Sequence, residues 1–222
     1  MIETIILAIV QGIAEFLPIS SSGHLVILGA LMNHLFGSTP SASPTLEIIL
    51  HAGTLGSILV IYWRQILDLL SRDRRVIPLL IVGTIPAVVI GLMIKTQFPW
   101  ILKNPMLAGA MLIVTGIMLV ILGKLPPRHG EYRGMTLISA FAIGCFQAFA
   151  ILPGISRSGS TILGGRLMGL KTDDSVTFSF LLAIPAILGA TVLEVKDLVE
   201  DIQAGETLDY PISELAILSL IH

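Results

Sequence analysis

Residues 11–32 read QGIAEFLPISSSGHLVILGALM, and this stretch decides the fold. A helix-length apolar run from Ile2 to Leu17 breaks at Pro18 and is followed by Ser20, Ser21, Ser22, Gly23 and His24. A second apolar run, Leu25 to Met32, then resumes. Neither arm reaches the roughly 20 residues that a membrane-crossing helix needs. Polar, helix-breaking residues at bilayer depth are tolerated only where protein buries them or they line a wet cavity. Residues 1–35 therefore read as a re-entrant helical hairpin, the alternative being one continuous span kinked at Pro18. The same interruption recurs in 136–169, at Pro153, Gly154, Ser156, Arg157, Ser158 and Gly159.

The two interrupted stretches are copies of each other. Aligned without gaps at an offset of 136, residues 11–32 and 147–168 share nine identities in 22 positions. Among them are Gln11/Gln147, Ser20/Ser156, Ser22/Ser158, Gly23/Gly159, Leu31/Leu167 and Met32/Met168.

Composition sets the solvent for this fold. Apolar residues make up 54% of 222 positions and charged residues 13%, with a mean hydropathy of +0.91. A soluble domain carries about 25% charged residues, so the surplus apolar surface calls for a bilayer. Spans are predicted at 46–63, 77–95, 105–123 and 176–195, and a further one begins at 212 and is cut short at His222. Repeat one is then 1–95 and repeat two 136–222, each a hairpin plus two spans. Span 105–123 is the odd helix that inverts the second copy. The whole chain, 1–222, is one all-α integral membrane domain with an inverted-topology repeat. Inverted repeats with broken helices typically hold a ligand at the midplane.

Loop charge predicts the orientation. Segment 64–75 carries Arg64, Arg72, Arg74 and Arg75, and segment 124–135 carries Lys124, Arg128 and Arg133. By the positive-inside rule both are cytoplasmic. Segment 196–211, with Lys196 as its one basic residue, faces outward. Hairpin 1–35 thus enters from outside and hairpin 136–169 from the cytoplasm, and their tips meet inside a multi-pass plasma (inner) membrane protein. The N-terminus lacks a basic leader region and carries Glu3, so it does not read as a cleaved signal. A net charge of -2 gives no footprint for nucleic acid. Cys145, in an apolar stretch, excludes an internal disulfide and reads as a small hydrophobe.

Chemistry concentrates at the breaks. Gln11 and Glu15 are four residues apart on one helical face. An acidic side chain inside a span costs about 2.5–3.5 kcal/mol on insertion scales, so it needs a compensating role. Three hydroxyls and an imidazole beside it form a compact nucleophile-and-base set. The residues leave open which of Ser20, Ser21 and Ser22 attacks, and whether Glu15 or His24 is the base. The helix beginning near Leu25 favours an anion at Ser21–Gly23. The second break supplies Arg157, the natural bidentate partner of phosphate. Around it lie Ser156, Ser158, Ser160 and Thr161, with Gly154 and Gly159 letting backbone N–H groups approach an anion. The bland readings are hydroxyls that bond neighbouring helices, a structural Glu15–Arg157 ion pair and a satisfied His24. Both clusters fall at equivalent repeat positions, which argues against them. Glu47, His51 and Arg166 are secondary candidates; Arg166 reads as snorkelling to the cytoplasmic edge. His34, His129 and His222 read as loop or terminal residues.

At these motifs the chain resembles the undecaprenyl-diphosphate phosphatase, or bacitracin-resistance, family. The family's Glu/Gln-x-x-x-Glu followed by Phe-Leu-Pro-x-Ser-Ser-x-Gly-His is matched from Gln11 to His24, and its Pro-Gly-x-Ser-Arg-Ser-x-x-Thr from Pro153 to Thr161. The resemblance implies hydrolysis of a C55 isoprenoid diphosphate to its monophosphate, at a site opening towards the outer face. It implies Ser21 as nucleophile with His24 and Glu15 assisting. Arg157, Ser156, Ser158 and Thr161, with Ser20, Ser22 and Gly154, would hold the diphosphate. A divalent cation, magnesium or calcium, would sit near Gln11 and Glu15. Family members usually run about one and a half to two spans further at the C-terminus. A homodimer is compatible with the sequence. The competing reading is a transporter or flippase of a polyprenyl phosphate lipid on the same repeat. A type-2 phosphatidic acid phosphatase is excluded, because the first histidine after Arg157 is His222.

Overall fold

The computed structural model describes residues 2–36, 44–71 and 73–203, and their regular structure is helical. The first hairpin is α1 (Ile2–Phe16) and α2 (Ser21–Phe36), separated at Pro18 as the missing amide and fixed φ of proline require. Then follow α3 (Pro44–Ile61), α4 (Trp63–Ser71), α5 (Val76–Gln97), a short tight turn at Pro99–Lys103, and α6 (Pro105–Lys124). A turn at Tyr132–Gly134 leads to α7 (Leu137–Phe149), α8 (Arg157–Leu167) and α9 (Thr172–Gln203). Helix starts follow their caps. Asn104 precedes Pro105 and its side-chain oxygen accepts from the Met106 and Leu107 amides at 3.0 and 3.2 Å.

Among the described residues, α5, α6 and the Thr172–Asp197 part of α9 are long and apolar enough to cross a membrane. They contain the predicted spans 77–95, 105–123 and 176–195. This is an all-helical integral membrane protein. Helix α3 covers most of the predicted span 46–63, and its described apolar part is Ala52–Ile61. The side chains of Glu47 and His51, and the span predicted from 212, lie outside the described residues.

Two predicted loops are partly helical. The charged segment 64–75 contains most of α4, which sinks Leu69 into the core beside Ile66. Helix α9 continues past 195 because Lys196 pairs with Glu200 at 3.5 Å and Asp197 pairs with Lys95 of α5.

The main core joins α4, α5, α7 and α9 through Leu69, Val76, Leu79, Ala140, Ile143, Phe178, Leu181 and Leu182. Small residues let α5 and α7 approach closely. A Cβ placed on Gly144 would lie 2.3 Å from the Gly83 carbonyl oxygen. A second cluster seats Phe16 of α1 and Tyr62 on Phe180 of α9, with ring centroids 5.9 and 5.3 Å apart. The outward faces remain apolar, with Ile113, Ile117 and Val120 of α6 more than half exposed, as a lipid-facing surface requires. At the opposite end of α8 from its break, buried Arg166 donates to the carbonyls of Leu170 and Pro126 at 2.8 and 2.7 Å. Its head group is held by loop carbonyls, not extended into solvent as a snorkelling side chain would be.

Candidate functional site

The two breaks share their capping pattern, although Ser20 and Ser156 differ in backbone conformation. Ser20 has φ +68°, in the left-handed region where residues other than glycine are uncommon. Its hydroxyl caps α2 by accepting the Gly23 amide at 3.3 Å and lies 3.4 Å from the Ser22 hydroxyl. At the other break Ser156 caps α8, accepting the Gly159 amide at 3.0 Å, with its hydroxyl 3.3 Å from that of Ser158. These are the same partners at the sequence offset of 136.

The breaks touch main chain to main chain. A Cβ on Gly23 would lie 2.6 Å from Gly154 Cα, and one on Gly159 would lie 3.2 Å from the Pro18 carbonyl oxygen. The Ser158 hydroxyl also reaches the Leu17 carbonyl at 3.5 Å. The helix starts of α2 and α8, each with unpaired amides and a partial positive charge, are thereby brought to one place.

Glu15 is the hub between them. Its Oε2 accepts from Gln11 Nε2 at 3.0 Å and from Ser21 Oγ at 2.5 Å. Its Oε1 accepts from Arg157 Nη2 of the other break. The side chains of Glu15 and Arg157 are 12% and 25% exposed, so the pair is shielded yet reachable from one side. His24 Nδ1 lies 2.6 Å from the Ser20 carbonyl oxygen. A carbonyl only accepts, so Nδ1 carries the proton and the lone pair of the neutral ring sits on Nε2. A hydroxyl on a carboxylate, an oriented imidazole and a guanidinium together suit attack on an anionic centre.

Not every candidate converges. Thr161 is buried, its hydroxyl 2.5 Å from that of Ser179 on α9 and within reach of the Arg157 and Ser158 carbonyls at 2.9 and 3.2 Å. It ties α8 to α9. Gly154, with φ +97°, packs on α6, where a Cβ would meet the Ala108 carbonyl oxygen at 2.2 Å. Its lack of a side chain serves helix packing, and that of Gly159 serves the approach of Pro18. Sequence reasoning missed Thr115 of α6. Its hydroxyl donates to the Gly154 carbonyl at 2.7 Å and accepts the Ser156 amide at 3.0 Å. A single hydroxyl in an apolar span gave no pattern from which to find it.

The oxygen donors at Glu15 suit a hard divalent cation. Gln11 is buried and its Oε1 has no hydrogen-bond partner. Among the described residues no group of three or more His, Cys, Asp or Glu could hold a metal. The chain therefore offers one carboxylate and an amide oxygen, a set that fits a cation taking its other ligands from phosphate oxygens and water.

Known proteins resemble this chain along most of its length. The family model described as bacitracin resistance protein BacA matches residues 4–221. A relative named undecaprenyl-diphosphatase in Rhodopirellula baltica (strain DSM 10527 / NCIMB 13988 / SH1) is 72% identical over 207 residues, covering 93% of this chain and 79% of the relative. Another of that name in Alkaliphilus metalliredigens (strain QYMF) is 41% identical, covering 89% of this chain and 78% of the relative.

Proposed function

This chain belongs to the bacitracin resistance protein BacA family, and from that premise we infer that it is a membrane phosphatase that hydrolyses undecaprenyl diphosphate to the monophosphate and inorganic phosphate, recycling the lipid carrier of cell-wall synthesis. The observation that carries the reading is Glu15, which accepts from Ser21 of its own break and from Arg157 of the other. Names borne by relatives favour hydrolysis over lipid translocation.

In this mechanism Ser21 Oγ attacks the terminal phosphorus while Glu15 takes its proton. The Oγ–P bond forms, the anhydride P–O bond breaks, and the lipid monophosphate leaves. Ser21 is favoured over its neighbours because its hydroxyl is the one on the carboxylate, whereas Ser20 caps α2 and Ser22 bonds Ser20. Water then attacks the phosphoserine, giving a proton to His24 Nε2; the Oγ–P bond breaks, inorganic phosphate leaves, Ser21 recovers its proton from Glu15, and His24 passes its own to solvent. Arg157, Ser156, Ser158 and the start of α8 neutralise charge that builds on the phosphoryl oxygens. A cation held by Glu15 and Gln11 would supply Lewis-acid neutralisation of the diphosphate.

The architecture proposed around this chemistry is an inverted repeat of two re-entrant hairpins in the inner membrane, with the site opening outward. Matching caps at an offset of 136 and the Arg-rich segments 64–75 and 124–135 support it. The test is phosphate release from C55 diphosphate by the purified protein. Release that disappears in Ser21→Ala and Arg157→Ala supports the assignment, and unchanged turnover in both variants refutes it.

A further inference from the structure

Helix α6 stands outside both sequence repeats, yet it meets both breaks. Leu112 Cδ2 would lie 3.1 Å from a Cβ on Gly23, at the start of α2. Ala108 and Met111 take Gly154 of the other break against them. Thr115 lies one turn further along the same face, four and seven residues from Met111 and Ala108.

Thr115 is 3% exposed and its hydroxyl is used twice. It donates to the Gly154 carbonyl and accepts the Ser156 amide, at 2.7 and 3.0 Å. Gly154 sits at φ +97° and Ser156 is the cap of α8, so one side chain grips the chain on both sides of Ile155. Arg157 is the next residue and the first of α8. Both gripped groups are main-chain polar atoms buried against an apolar helix, where lost pairing is costly. Valine has the shape of threonine without the hydroxyl, and serine has the hydroxyl without the methyl group.

We propose that Thr115 is a positioning residue for the reaction, fixing the Gly154–Ser156 turn so that Arg157 and the α8 start face Ser21 across Glu15. This rests on the phosphatase reading above. It predicts that the cost falls on the turn and on kcat and leaves the rest of the fold in place, because a displacement of about 1 Å at a positioning group can cost about 100-fold in rate.

The experiment compares wild type, Thr115→Ser and Thr115→Val as full chains in lipid nanodiscs. Two readouts are taken: kcat and KM for phosphate release from C55 diphosphate, and amide hydrogen exchange across 150–165. Thr115→Val is expected to lower kcat by about 10–100-fold with KM within about twofold, and to speed exchange at Ser156–Gly159 while the rest of α8 stays protected. Thr115→Ser is expected to restore both. Full kcat in Thr115→Val, or a loss in Thr115→Ser equal to that in Thr115→Val, overturns the proposal. So does Thr115→Val exchange that rises uniformly through α8 and α9, which would mark general loosening. If wild type releases no phosphate, the phosphatase reading fails by itself, while exchange confined to Ser156–Gly159 still reports whether the hydroxyl holds the turn.

Discussion

Replacing Glu15 by glutamine keeps the shape of the hub and removes its charge. The donors that meet the carboxylate include Gln11 and Ser21 at one oxygen and Arg157 at the other. An amide oxygen still accepts hydrogen bonds but does not take the Ser21 proton. Loss of a positioned general base costs about 10²–10⁴-fold, or about 3–5.5 kcal/mol of barrier at roughly 1.4 kcal/mol per decade. Stability responds separately. Removing one partner of a buried ion pair costs about 3–5 kcal/mol. Arg157 is 25% exposed and can draw on water, so the lower end of that range is the upper bound here. The double variant Glu15→Gln/Arg157→Gln has no stranded charge, and part of the lost stability should return. Turnover should not return, because neither the base nor the phosphate-facing cation is restored. The assay pairs phosphate release with thermal unfolding in one nanodisc preparation for wild type, both single variants and the double. Glu15→Gln with kcat within tenfold of wild type would refute the base assignment. A double variant that regained turnover along with stability would refute the division between chemistry and folding.

Gly23→Ala places a methyl group 2.6 Å from Gly154 Cα, so main chain must move. It should lower stability by about 1–3 kcal/mol and abolish most phosphate release, whereas Gly29→Ala, inside α2 with open space around it, should leave release unchanged and raise stability by about 0.5–1 kcal/mol. At Ser20, φ +68° favours glycine while the cap favours serine. Ser20→Ala should therefore lose about 1 kcal/mol or more, and Ser20→Gly only a few tenths, in thermal unfolding. If a cation joins Glu15 and Gln11, chelation with EDTA should suppress phosphate release, added magnesium or calcium should restore it, and Gln11→Leu should raise the concentration needed. Full activity after chelation would remove the cation from the scheme.

The parts of this fold that could be read from sequence are those written in repeated or block form. Long apolar runs marked α5, α6 and α9, and the echo between 11–32 and 147–168 marked both breaks but not their caps: α2 begins at Ser21, where Ser20 caps it, and not near Leu25. Helix α4 was hidden by its arginine and aspartate content, although Ile66 and Leu69, which reach the core, keep an i, i+3 spacing. The far end of α9 was hidden because ion pairs at Lys196 and Asp197 sustain helix where apolar character ends. At the site, residue type identified Glu15, Ser21, His24 and Arg157 as a chemically coherent set. It did not tell which way each hydroxyl points. Thr161 belongs to the same motif as Arg157 but turns towards Ser179, and Thr115 belongs to no motif. Orientation of that kind is settled by long-range packing, which leaves little trace in local spacing.

The joint between Gly23 and Gly154 has a mechanical consequence. Because backbone rests on backbone there, the gap across the reaction centre is set by covalent geometry and not by flexible rotamers. Bilayers differ in hydrophobic thickness, and helices answer a mismatch chiefly by tilting. Tilting that pivots about this joint would leave the spacing of Gly23 and Gly154 unchanged.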